Sequence, residues 1–129
     1  MEIEEIDPPR KFRVGVAKQI EISHTANIEL QPDEQVTFVT KSGTEFDVAR
    51  KSWGYYGTPS TNGRLANHNL RAALISNEQN MLYVMLCEKG KEEDFQNYLD
   101  LESQTFLTWI DSDENVDRLK QAIEKEFRS

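Results

Sequence analysis

Between Asp47 and Glu78 the chain carries no acidic side chain, although 23 of its 129 residues are Asp or Glu. The 30 intervening residues hold Arg50, Lys51, Arg64 and Arg71, a formal +4, which leaves −12 for the other 99 residues of a chain whose total is −8. The residue types in this stretch suit recognition. Trp53, Tyr55 and Tyr56 offer flat apolar faces with polar edges. Thr58, Ser60, Thr61 and Asn62 offer hydroxyl and amide hydrogen bonds, and Gly54, Gly57 and Gly63 allow close approach of backbone to a ligand. Arg64 and Arg71 supply planar forks that match phosphate or carboxylate, and His68 lies in the same polar surroundings.

This composition points to a non-catalytic binding or accessory domain that takes an anionic small molecule, or an acidic partner surface, through residues 50–71. The small molecule would be a nucleotide, nucleotide-sugar or acidic sugar. The ring of such a ligand would stack on Trp53 and Tyr55 or Tyr56, Arg64 and Arg71 would meet its charge, and Ser60, Asn62 and His68 would orient it. A structural use competes with this one: the aromatic rings become core at a strand end, Asn62-Gly63 a turn, and the arginines pair with the acidic remainder of the chain. Gly54-Tyr55-Tyr56-Gly57-Thr58-Pro59 has neither the glycine spacing of a dinucleotide loop nor the Lys of a phosphate-binding loop.

Two other functions are weighed against the leading one. A small enzyme acting on a phosphorylated or sugar substrate would use His68 as general acid or base, with its partner acid delivered from another strand. Ser60 has no Gly-x-Ser-x-Gly around it to make a nucleophile elbow. A protein–protein interaction module would need no small ligand at all. No metal or cofactor is expected. One Cys and two distant His give no zinc spacing, and the acids of Asp111-Ser112-Asp113-Glu114 are explained by helix capping. The lone Cys87 reads as a small buried hydrophobe, and His24 as a hydrogen-bonded histidine on an apolar strand face. A net −8 disfavours whole-surface nucleic-acid binding, which rests on phosphate neutralisation.

The elements that would position these residues follow from periodicity. Phe12, Val14 and Val16 begin a strand, and Ile20, Ile22, His24, Ala26, Ile28 and Leu30 alternate with polar residues, as in a strand with one face buried. Lys41-Ser42-Gly43 links two strands as a hairpin, and Asn77-Glu78-Gln79-Asn80 links two more. Met81 to Cys87 is apolar on both faces, the pattern of a central covered strand. Beyond Gly90 the period becomes helical around Phe95, Tyr98 and Leu99, returns to strand over Thr105 to Ile110, and ends in a helix with Val116, Leu119, Ile123 and Phe127 in one stripe.

The predicted architecture is α+β: a largely antiparallel β-sheet built from N-terminal strands and two hairpins, with two C-terminal helices packed on one face. Residues 1–9, acidic and ending in Pro8-Pro9, read as a flexible lead-in, and residues 10–129 as a single domain. No apolar run approaches the ~20 residues needed to cross a bilayer, so no membrane association is expected. The acidic start and the single Cys fit a cytoplasmic setting. The stripe of the closing helix either packs on the sheet or enters a homodimer interface.

Overall fold

The computed structural model describes residues 1–57 and 60–127. Its strands are β1 (Glu2–Val14), β2 (Ile20–Glu29), β3 (Gln35–Val39), β4 (Glu45–Lys51), β5 (Gly54–Gly57), β6 (Leu70–Ser76), β7 (Leu82–Glu88) and β8 (Thr105–Trp109). Its helices are α1 (Arg64–Asn67), α2 (Glu92–Leu101) and α3 (Asp113–Phe127). The strands form three sheets, ordered β1-β2, β3-β4-β5 and β7-β6-β8. The paired strands β1-β2, β4-β5, β6-β7 and β6-β8 are all antiparallel, so the class is α+β.

The chain divides into two compact units, Met1–Thr37 with Asp47–Thr58, and Phe38–Phe46 with Pro59–Ser129. In the first, β1 and β2 make a long two-stranded ribbon in which Val14 pairs with Ile20 at the turn end and Glu2 with Glu29 at the other. Residues 2–9, expected as a flexible lead-in, lie within β1, and Glu2 to Glu5 pair with Glu29 to Ala26 of β2. The pairing slips between Glu5 and Arg10, where β1 holds four residues against the single Thr25 of β2. Two of those four are Pro8 and Pro9, which cannot donate to a ladder, so the irregularity falls where the backbone lacks N–H groups. The irregularity thus lies in β1, and β2 runs through unbroken from Ile20 to Glu29.

The second unit is built around β6. Its side chains alternate between two small cores, as strand geometry requires. Leu70 and Ala72 pack with Leu65 of α1 and with Phe46, Leu86 and Ile110. Ala73 and Ile75 pack with Leu99 of α2 and with Met85, Phe95, Phe106 and Trp109. The central strand is thus β6, with its two alanines, and not β7. Sitting at the sheet edge, β7 leaves Leu82 and Val84 exposed, as is Met81 just before it.

Local chemistry explains the turns. Gly43 at φ +97° closes the β3–β4 loop, donating its N–H to the Thr40 carbonyl at 3.0 Å. In the β6–β7 turn the Asn77 side-chain oxygen accepts N–H groups from Gln79 and Met81, and Asn80 takes the left-handed conformation that Asn tolerates. Helix α2 begins with Glu92, Glu93 and Asp94 at its positive end and buries Leu99. Ser112 caps α3, its Oγ accepting the Asn115 N–H at 3.1 Å. Of the two C-terminal helices expected on one sheet face, α2 packs through Phe95 and Leu99, while α3 carries no buried residue and leaves Ile123 and Phe127 exposed. Among the described residues no helix is long and apolar enough to cross a membrane.

Candidate functional site

The segment 50–71 is shared between the two units. Its aromatic part is the β4–β5 hairpin of the first, where Lys51 pairs with Gly54 and Ser52-Trp53 forms the two-residue turn. Trp53 and Tyr56 stack with ring centroids 6.1 Å apart and planes 16° from parallel. Trp53 is 70% exposed and Tyr55 and Tyr56 are exposed as well, so these rings are surface and not core. Beside the same turn, near the end of β4, the Arg50 guanidinium donates to the Leu30 carbonyl at 2.6 Å. Asp33 binds the Lys51 ammonium and raises its pKa, chiefly through that hydrogen bond. Thr58, an expected hydrogen-bonding residue, lies outside the described residues.

The polar part belongs to the second unit, and its members have partners within that unit. Ser60 Oγ accepts the Arg64 N–H at 3.2 Å, and its carbonyl accepts those of Gly63 and Leu65, so Ser60 organises the start of α1. Asn62 donates to Asp113 at 3.0 Å. Arg64 is exposed at the first position of α1. Arg71, expected to meet an anionic ligand, is spent internally. Its Nε and Nη2 bind the two oxygens of Asp111 at 3.0 and 3.4 Å, Nη1 reaches Glu92 at 3.4 Å, and the guanidinium lies 3.8 Å over the Trp109 ring. The Asp111 hydrogen bonds are the main cause of the rise in the Arg71 pKa. Glu92 is held below the usual carboxylate range, first by its own backbone N–H, then by Gly90 and Arg71.

His68 does receive an acid from another strand: Glu45 Oε2 lies 2.8 Å from Nδ1. Beside that hairpin Glu88 accepts the Ser42 hydroxyl and the Lys91 ammonium, which hold its carboxyl below the ordinary range. Cys87 is buried, and loss of solvation pushes its thiol up, the opposite of what a nucleophile needs. Among the described residues no group of three His, Cys, Asp or Glu side chains is placed to hold a metal ion.

What sequence reasoning misplaced is the alternating apolar face of β2. Cross-strand pairs put Ile28 with Ile3, Ile22 with Phe12 and Ile20 with Val14 on one side of the ribbon. Lys11, Arg13, Glu21 and Glu29 project from the other. The expected burial does not occur: Ile3 is 55% exposed, Ile20 48%, Ile22 42%, Val14 41%, Ile28 40% and Phe12 36%. His24 sits half-buried on this face, its Nε2 3.1 Å from the Ala26 carbonyl and its Nδ1 accepting from Arg10 at 3.4 Å. The Arg10 guanidinium also lies 4.9 Å over the Phe12 ring. Isolated apolar side chains are normal on a surface, whereas this face carries six, Ile3 and Ile28 at one end and Phe12, Val14, Ile20 and Ile22 at the other, with Glu5 and Arg10 between them, and such clustering marks an interaction site. The alternation that reveals the face was visible in the sequence; its exposure was not.

Compared with protein-family models, curated proteins and solved structures, the chain matches none.

Proposed function

We propose that this protein is a non-catalytic interaction module whose working surface is the apolar face of the β1–β2 ribbon. The observation that carries the reading is the exposure of the apolar pairs towards both ends of that face, Ile3 with Ile28, and Phe12 and Val14 with Ile22 and Ile20. A two-stranded hairpin in water is marginally stable at best, and burial of its apolar side by a second surface supplies what it lacks. The stacked Trp53–Tyr56 pair and Tyr55 add exposed aromatic surface in the same unit, of the residue types that anchor protein interfaces. The small-anion reading loses support because the fork of Arg71 is engaged by Asp111 and Glu92.

A photo-reactive residue at Ile22, on the apolar face, tests this against one at Ser23, on the opposite face. One discrete protein adduct is expected from position 22 and little from position 23. Equal labelling from both faces, or none from either, would refute the reading.

One observation favours a second reading, the small enzyme with His68 as general acid or base. Glu45 at 2.8 Å orients the imidazole and leaves Nε2 to exchange a proton. Turnover of a phosphate ester or a glycoside that is unchanged in His68→Gln would dispose of it.

A further inference from the structure

The ribbon is polarised along its length. The half near the N-terminus carries Glu2, Glu4, Glu5, Asp7 and Glu29 and no Lys or Arg. The half near the turn carries Arg10, Lys11, Arg13 and Lys18 against the single acid Glu21. The same order appears on the apolar face itself. Glu5 pairs with Ala26 and Arg10 with His24, one on each side of the slip in the ladder. From the N-terminal end the face therefore reads Ile3/Ile28, Glu5/Ala26, slip, Arg10/His24, Phe12/Ile22, Val14/Ile20. Turned end for end about the slip, the four pairs nearest it are complementary to themselves: Ile3/Ile28 meets Phe12/Ile22 and the acid meets the base, with Val14/Ile20 lying beyond.

We infer that the occupant of the apolar face is a second copy of this chain, packed face to face with its ribbon antiparallel to the first about a two-fold axis near the slip. This rests on the reading of the ribbon as an interaction surface and names its partner. In such an isologous pairing each contact occurs twice, so Glu5 of one copy meets Arg10 of the other at two symmetric places. Ile3 and Ile28 of each copy then face Phe12 and Ile22 of the other. A ribbon of this length spans about 40 Å. Two such faces bury on the order of 1,000 Å² in total, at the lower end for a specific interface, so the pairing belongs with the weak, transient class and calls for a concentrated sample. The charge pattern sets the direction: parallel ribbons would place acid against acid and base against base, which costs affinity.

The test is a charge exchange read by native mass spectrometry of the full chain at about 100 µM. The unaltered chain should appear as a dimer. Glu5→Arg alone places Arg against Arg10, and Arg10→Glu alone places Glu against Glu5, and each should weaken the dimer about a hundredfold. An equal mixture of the two variants should restore pairing, as a heterodimer of mixed mass. A monomeric unaltered chain overturns self-pairing. So does a dimer that persists in both single variants, which would locate the contact elsewhere. Misfolding of either variant is recognised from its amide spectrum, and recovery in the mixture cannot come from misfolded chains. A monomer that still gives one discrete adduct with a different protein from position 22, and not from position 23, overturns the self-pairing while leaving the interaction reading intact. No adduct in either setting removes both.

Discussion

Replacing Arg71 by Met asks whether this arginine holds the fold or awaits a ligand. Met keeps much of the aliphatic stem and removes the guanidinium. Asp111, whose side chain is only 7% exposed, then loses the fork that satisfies both its oxygens. Removing one partner of a fully buried ion pair costs about 3–5 kcal/mol. Arg71 itself is 28% exposed, so solvent screening reduces that term to about 2 kcal/mol. Loss of the stacking on Trp109 adds about 1 kcal/mol. A total near 3 kcal/mol, with a urea slope of about 1.5 kcal/mol per molar, moves the unfolding midpoint down by roughly 2 M. Fluorescence of Trp109 in a Trp53→Phe background reads the transition in the unit concerned. Arg71→Lys, which keeps the charge without the planar fork, should recover about half the loss. A midpoint within about 0.3 M of the parent for Arg71→Met would refute this reasoning and return Arg71 to the list of ligand-binding candidates.

Other outcomes follow from the same contacts. Leu99→Ala, which empties a fully buried site between α2 and β6, should cost about 3 kcal/mol in the same urea assay, and a cost under 1 kcal/mol would mean the two are not packed as described. Glu34, Glu88 and Glu92 all have folded pKa values below the ordinary 4.5, so the unfolded chain binds their protons more readily. Their stabilisation is complete above that value and is lost as pH falls through the lowered ones. Thermal melts should show a Tm that is flat from neutrality to about pH 5 and falls below 4.5, with a shallower fall in Glu92→Gln. A Tm that rises on acidification through this window would contradict the assignment.

Much of the fold was legible in local chemistry. Gly43 and the Asn77–Asn80 turn announced both hairpins, and Ser112 with Asp113 and Glu114 announced the start of α3. Strand order was not legible, because apolarity on both faces of Met81–Cys87 states what a strand could bury and not where it lies. The central place goes to β6, whose small Ala72 and Ala73 admit close packing from both sides. The partners of Arg71 are 21 and 40 residues away and the acid beside His68 is 23, so nothing in the acid-free segment could show that its charges are already met. The ribbon teaches the converse. Alternation along Ile20–Ile28 identified an apolar face correctly, but periodicity carries no information about whether the surface that covers it belongs to the same chain.

The central claim, that the apolar ribbon face pairs with a second copy of this chain, is tested most directly by sedimentation velocity of the parent chain and of Phe12→Ser/Ile22→Ser over about 1–200 µM, a range set by the modest area of the ribbon. The account predicts that the parent's mass rises with concentration from 14.9 kDa towards twice that value, while the variant, folded by its amide spectrum, stays at one chain. A parent that remains at 14.9 kDa throughout, or a variant that associates as well as the parent, would contradict it.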